Sequence, residues 1–311
     1  MHYGIDIGGT KIELAMFDDD FQLLKQWRVA TPTTDYGIFL QVLGQQIAHA
    51  DQVSGQKASL GIALPGIMTA AGQVVSSNVP CLNGKFVGDD LQQRLQRPVA
   101  FGNDCRCFVL SEAVFGAGRP FQRVLGVIIG TGCGGGLCVD GEIKQGRQQL
   151  IGEFGHQSVA ARVLQNHQLP MFRCGCGLEG CAEAYVSGRG LERLYHHFCL
   201  LNDDPYRGQP QSTYQWLEQF RAGDTAAKQT FSAYMDALGA VLAAQILAYD
   251  PDAIVLGGGL SDIAEIVEAV PAAITPHLFR GIELPVICVA ELGAASGKRG
   301  AALLGAHIHV G

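Results

Sequence analysis

Twice in this chain a run of buried-strand residues enters a glycine turn and leaves it as a second strand. The first instance is Tyr3-Gly4-Ile5-Asp6-Ile7-Gly8-Gly9-Thr10-Lys11-Ile12-Glu13-Leu14-Ala15-Met16-Phe17. The second is Arg123-Val124-Leu125-Gly126-Val127-Ile128-Ile129-Gly130-Thr131-Gly132-Cys133-Gly134-Gly135-Gly136-Leu137-Cys138-Val139. An apolar run before each turn and alternation after it predict paired strands. A hairpin of one type in each half predicts duplicated architecture. A third strand, Ala253–Leu256, feeds Gly257-Gly258-Gly259. Consecutive N–H groups without side chains form a concave donor set that suits an anion, and glycine allows a ligand to approach the backbone. Each turn alone also reads as a plain hairpin. Three of them after buried strands, with Asp6 and Thr10 flanking the first, favour phosphate. No Gly-Lys-Ser/Thr closes a loop into a helix, so the Walker pattern is absent. Gly8-Gly9 leads into a strand rather than a helix, unlike a dinucleotide fingerprint.

Between these strands the pattern turns helical. Phe39, Leu43, Ile47 and Ala50 space a helix over Thr34–Val53. Leu91 and Leu95 suggest a short one. Asp104–Phe115, Gly188–Leu201, Ser212–Arg221, Asp224–Tyr249 and Ser296–His307 read as helices, and Gln22–Ala30, Ser59–Leu64 and Pro98–Phe101 as strands. Alternating strands and helices predict α/β layers, with the crossover between halves at Gly116–Pro120. Charged residues are only 16% of the chain and hydrophobic ones 48%, which argues against disorder. The net charge of −7 gives no basic footprint for nucleic acid. Met1–Asp6 lacks the pattern of a signal peptide, and the apolar run Ala237–Tyr249 is too short for a bilayer. A cytoplasmic protein with no membrane partner is expected.

Gly152-Glu153-Phe154-Gly155-His156 is followed by Cys174-Gly175-Cys176-Gly177-Leu178-Glu179-Gly180-Cys181. Thiolates and imidazole suit tetrahedral zinc, and small intervening residues let the chain wrap an ion. One histidine and three cysteines fill all four positions, which predicts a structural site without an open coordination position. Reduced, packed cysteines are the alternative. Two acids stand out elsewhere. Asp104, at the end of a strand and the start of a helix, suits a proton acceptor in phosphoryl transfer and equally a helix N-cap. Asp6, beside the first glycine turn, suits Mg²⁺ held through water and equally a buried structural acid. Lys11 adds charge near a phosphate or lies on an exposed strand face.

The segment Asp6–Lys11, the loop Gly130–Gly136 and Gly257–Gly259 resemble the nucleotide-binding signatures of the sugar-kinase, actin-like ATPase superfamily, and from Tyr3 to Leu304 the chain resembles the ROK family. The resemblance implies a two-domain actin-like ATPase (ribonuclease H-like) α/β fold with ATP, Mg²⁺ and sugar in an interdomain cleft. It implies a small domain over 1–117 plus 298–311 and a large one over 118–297 with a zinc-binding insertion. It implies ATP contacts along Gly4–Lys11, Gly130–Val139 and Gly257–Gly259, and zinc on His156, Cys174, Cys176 and Cys181. Glu153, His156 and Glu183 match residues that hold sugar hydroxyls, His156 using its second ring nitrogen. Asp104 matches the general base for the 6-hydroxyl and Asn103 a contact to a neighbouring hydroxyl. Gly66 and Ser76-Ser77-Asn78-Val79-Pro80 match the other wall of the sugar pocket. The family usually continues Asn-Asp-Ala, whereas Cys105-Arg106-Cys107 follow here, with Arg106 able to disturb the local field.

Asn78-Val79-Pro80, the tract Arg173–Arg189 and Tyr249-Asp250-Pro251-Asp252 resemble the family's N-acetylglucosamine kinases more than its glucokinases or fructokinases. The expected reaction is therefore ATP-dependent phosphorylation of N-acetyl-D-glucosamine at the 6-hydroxyl. Glucokinase or fructokinase activity is the alternative within the family. A sugar-sensing repressor is disfavoured, since the first glycine-turn strand begins at Tyr3 and leaves no room for a helix-turn-helix before it. The family's frequent dimers leave a homodimer open.

Overall fold

The computed structural model describes residues 1–76, 78–202 and 212–308. Ser77, expected beside the sugar, lies outside them. Chain order is β1 (His2–Ile7), β2 (Lys11–Phe17), β3 (Leu23–Ala30), α1 (Tyr36–Ser54), β4 (Ser59–Leu64), β5 (Ile67–Met68), β6 (Val74–Val75), α2 (Val87–Leu95), β7 (Ala100–Asn103) and α3 (Asp104–Phe115). It continues with β8 (Arg123–Ile129), β9 (Cys133–Val139), β10 (Glu142–Lys144), α4 (Ala161–His167), α5 (Glu183–Val186), α6 (Gly188–Leu201), α7 (Thr213–Ala222) and α8 (Thr225–Tyr249). β11 (Ala253–Gly257), α9 (Ala264–Ile274), β12 (Val286–Val289) and α10 (Ser296–Ile308) complete it.

The duplication expected from the two hairpins appears in the sheets. One has the order β3-β2-β1-β4-β7 and the other β10-β9-β8-β11-β12. In each, the strand before the glycine turn is central. β1 runs antiparallel to β2 and parallel to β4, and β8 runs parallel to β11. Ile5, Ile7, Leu125, Val127 and Ile129 are buried completely, as strands covered on both faces require. Phe39, Leu43, Ile47 and Ala50 form the buried face of α1, which is capped by Asp35 and stopped by Gly55 in the left-handed conformation.

Two compact units result. The first comprises Met1–Gln122, Gly136–Ile151 and Glu291–Gly311, the second Arg123–Gly135 and Gly152–Ala290. These limits differ from the expected 117/118 and 297/298, chiefly by giving 136–151 to the first unit. Arg106 supplies the reason. Its guanidinium is 2% exposed and donates to the carbonyl of Ile151 at 3.0 Å and to that of Gln149, so it binds this segment to α3. α9 is an element that the sequence pattern did not announce, and it carries Pro271 inside it. α8 is long and apolar enough by composition to cross a membrane, longer than the apolar run read in the sequence. Tyr234, Leu238, Leu242 and Gln245 on it are nevertheless buried in the core of the second unit.

Candidate active site and metal centre

On the first unit, β7 starts two residues later than the spacing suggests and so ends on Asn103, which is also the N-cap of α3. The Asn103 side-chain oxygen accepts the amides of Cys105 (3.0 Å) and Arg106 (3.3 Å), and its NH₂ donates to the Gly66 carbonyl at 2.8 Å. The capping role is thus taken by Asn103 and not by Asp104. Such a cap stabilises a helix by about 1 kcal/mol. Asp104 occupies the first helical position, where it accepts the Cys105 amide at 2.9 Å through one oxygen. Burial pushes its carboxyl above the ordinary range, opposed by the Cys105 amide and the Arg106 charge. Arg106 donates to two neutral carbonyls and keeps its charge, which lowers Asp104.

Asp6, next to last in β1, lies in the same neighbourhood. Burial, then the charges of Asp104 and Glu13, raise it to about 6 against the pull of Lys298 and Lys11. Lys298 is 3% exposed and donates to Gln26 at 2.9 Å. Lys11 pairs with Glu13 at 2.8 Å on the strand face. Sequence reasoning weighed Lys11 and missed Lys298, which sits in a helix read only as closing the fold.

Gly66 has φ +100°, and a Cβ there would meet the Val75 carbonyl, so only glycine suits the turn. Next to it a small hollow is lined by Leu64, Gly66, Met68, Phe101, Gly102, Asn103 and Gln149. The loop 76–83 is organised by Asn83, another residue the sequence did not single out. Its side chain accepts the Ser76 amide and donates to the Ser76 carbonyl, each at 2.8 Å. Asn78 is exposed, and its carbonyl lies against Gly9 of the first glycine turn. That turn is closed by the Gly8 amide on the Lys11 carbonyl at 2.9 Å.

On the second unit, the loop after β8 is pinned by side chains expected to bind sugar. The Glu183 carboxylate accepts the Cys133 amide at 3.0 Å, and the backbone at Gly155 lies on Cys133 and Glu183. Gly130 donates to Gly132, Gly135 to Gly152, and Gly188 to Gly130. Glu153 immediately precedes the turn Phe154–His156. Gly258, at φ +87°, and Gly259 are exposed after β11. Ile5, Ile7, Leu137 and Cys138 are core residues that carry the turns without facing solvent.

The four zinc-candidate residues meet. Their ligand atoms all lie within 4.8 Å of one another, with His156 Nδ1 to Cys174 Sγ at 3.7 Å and Cys176 Sγ to Cys181 Sγ at 3.6 Å. Tetrahedral Zn–S and Zn–N bonds of about 2.3 and 2.0 Å require edges of about 3.5–3.8 Å, so the donor set fits the ion. Backbone bridges Ser158–Cys181 and Arg173–Glu179 bring the segments together. Burial raises the Cys174 thiol and takes that of Cys181 to about 12, while the Leu178 amide lowers that of exposed Cys176. Thiols this close ionise together when a divalent cation offsets their charge. None of the ten cysteines is in a disulfide.

The sequence profile of the ROK family matches residues 2–307. The chain belongs to the ROK family. It is 55% identical over 311 residues to an N-acetylgalactosamine kinase of Shewanella sp. (strain ANA-3), covering 100% of this chain and 98% of that one. It is 41% identical over 307 residues to an N-acetyl-D-glucosamine kinase of Pectobacterium carotovorum subsp. carotovorum (strain PC1), covering 98% of each. The fold superposes on the ROK hexokinase from Thermus thermophilus with a TM-score of 0.86 at 30% identity, covering 100% of this chain and 99% of that one. The fold is accordingly the actin-like ATPase fold of the ROK sugar kinases.

Proposed function

We propose that this ROK protein transfers the γ-phosphoryl group of ATP to the 6-hydroxyl of N-acetyl-D-glucosamine, giving the 6-phosphate and ADP. What carries the reading is Asp104, a carboxylate of raised proton affinity relieved of capping duty by its neighbour. A base of this kind accepts the hydroxyl proton as the sugar oxygen attacks the γ-phosphorus and the bond to ADP breaks. Asn103 and Gly66 shape the adjoining pocket. From the first unit Asn78, and from the second Glu153, His156 and Glu183, hold the remaining hydroxyls.

The phosphates are received by the glycine turns. The amides of Gly8, Gly130, Cys133 and Gly135 are engaged within the protein, so the donors assigned to phosphate are those of Gly9, Thr10, Thr131 and Gly132. Gly257–Gly259 lies toward the nucleoside. Asp6 orders water around Mg²⁺, which neutralises phosphate charge when bound. His156, Cys174, Cys176 and Cys181 would hold zinc, which would tie the loop of Glu153 to the segment of Glu183. His156, whose Nδ1 faces Cys174, would then keep Nε2 for sugar with its tautomer set.

A second reading, N-acetyl-D-galactosamine as the preferred substrate, is favoured by the 55% identity to a kinase named for that sugar. The two sugars differ only at C4. ADP release measured across N-acetylglucosamine, N-acetylgalactosamine, N-acetylmannosamine, glucose and fructose tests both readings. The expected result is the highest kcat/KM with N-acetylglucosamine. A lead for N-acetylgalactosamine selects the second reading, and a lead for glucose or fructose rejects both.

A further inference from the structure

Glu112 lies on α3 two turns beyond Asp104 and is completely buried. An ionised carboxylate in a core is costly unless donors surround it, and here they do. One oxygen accepts the Leu292 amide at 3.0 Å and the Ser296 hydroxyl at 2.7 Å. The other accepts the Glu291 amide at 3.0 Å and the Ala117 amide at 3.3 Å. These donors sit where the chain ends α3 and where it re-enters the first unit ahead of α10. A single side chain therefore fixes the far end of α3 to the start of α10.

The two helices it joins serve the two acids of the site. α3 carries Asp104 on its first turn. α10 approaches Asp6 at Gly297, where a Cβ would stand 2.9 Å from the carboxylate, and it supplies Lys298, whose charge lowers Asp6. Gly300 lets α10 touch α3 at the Cys107 carbonyl, a contact any side chain would block. Close packing at Gly300 leaves sliding and rotation along the helices to be fixed by directional bonds, and Glu112 provides four.

We infer that Glu112 is a positioning residue of the phosphoryl transfer: by tying α3 to the 291–296 segment it holds Asp104 in register with Asp6. The inference rests on the proposed function. Glu112→Gln keeps the shape but turns an NH₂ donor toward amide and hydroxyl donors. Misplacement of a reacting group by about 1 Å costs on the order of 100-fold in rate, so a partial slip predicts a fall in kcat of about tenfold or more. KM values for sugar and ATP stay within about twofold, since Asn103 at the head of α3 is held to the Gly66 carbonyl by its own bond and the other residues assigned to substrate lie off this helix, and zinc content is unchanged. An unchanged kcat in the folded variant overturns the inference, as does a parallel change of kcat and both KM values. Should Glu112→Gln fail to fold, Ser296→Ala decides, because it removes one donor and leaves the carboxylate. About threefold lower kcat at unchanged KM then supports the role, and wild-type kinetics end it. The unmodified protein is assayed alongside. If it phosphorylates no sugar, the proposed function fails and the role of Glu112 with it. If it does and the variants match it, only the inference fails.

Discussion

Asp104 stands on a helix whose cap, flank and far end are all fixed by buried side chains, Asn103, Arg106 and Glu112. His156 and Cys176 stand on exposed turns, joined to their partners by isolated backbone bridges. The first arrangement is made by the core and holds its shape whatever binds. The second has its donors gathered within 4.8 Å of one another, but two of its thiols are pushed away from ionisation until a cation offsets the charge. Rigid elements suit the group proposed to move a proton, where small displacements are costly. Turns suit the groups proposed to hold hydroxyls, provided something ties them down. Substitutions on the two sides should therefore fail differently: chemistry without loss of fold on one side, affinity together with metal on the other.

The largest effect is expected at Asp104. Asp104→Asn keeps the shape and loses the base, so kcat should drop by about 10²–10⁴ with sugar KM little changed. Stability should move the other way. Burial raises the folded-state pKa of Asp104 above its unfolded value, so the folded protein binds the proton more tightly. The stabilisation that goes with that proton is present below the unfolded pKa and lost as pH rises through the folded one. At neutral pH the charged group costs stability, and Asp104→Asn should raise Tm at pH 7.5 more than at pH 4. A variant with full turnover, or with Tm lowered at pH 7.5, breaks the account of the first unit.

Much of the placement of the candidate site was legible in the sequence because each part has a local signature. Glycines after apolar runs marked the turns of β1, β8 and β11. The Cys-x-Cys-x₄-Cys spacing marked the candidate metal cluster, whose members the structure brings together, and helical spacing marked α1 and α3. Lys298 and Glu112 were not legible because they act on residues distant in sequence, Glu112 on donors some 180 positions away, and nothing beside them announces a partner. Asn83 acts on nearby Ser76, but a loop asparagine carries no pattern that says which backbone groups it binds. Arg106 stood out only as a departure from the family pattern; its charge does reach the site, where it lowers Asp104, but its backbone partners were not legible. The structure shows it spent on backbone carbonyls, where it draws 136–151 to the first unit. The cap offered as the alternative role for Asp104 falls instead on Asn103, because Asn and Asp both cap helices well and only the hydrogen bonds decide between neighbours.

The metal side is probed by Cys176→Ser, the most exposed of the thiol ligands. Loss of one ligand should lower zinc content, read by elemental analysis, and weaken sugar binding about 10–100-fold in calorimetry, in line with the effect of altered metal surroundings. kcat at saturating sugar should fall less than for Asp104→Asn. Complete zinc loss with unchanged sugar affinity would uncouple the cluster from the sugar, and the contrast between the two units would lose one of its terms.

The smallest effect sharpens the first unit from within. Asn103 does two jobs, the α3 cap and the bond to the Gly66 carbonyl. Asn103→Ser retains an oxygen able to cap and removes the donor to Gly66, whereas Asn103→Ala removes both. The alanine variant should lose about 1 kcal/mol of stability more than the serine one in denaturant unfolding. Both should raise sugar KM by a few fold, since a lost hydrogen bond is worth about 1 kcal/mol. If serine and alanine are equally stable, the cap contributes nothing and Asp104 has taken it over, which would leave the carboxylate partly occupied. If serine alone restores sugar KM, the Gly66 bond is incidental and the cap sets the pocket. Equal KM defects with unequal stability are what the hydrogen bonds of Asn103 require, because the pocket wall depends on the amide nitrogen and the helix on the oxygen.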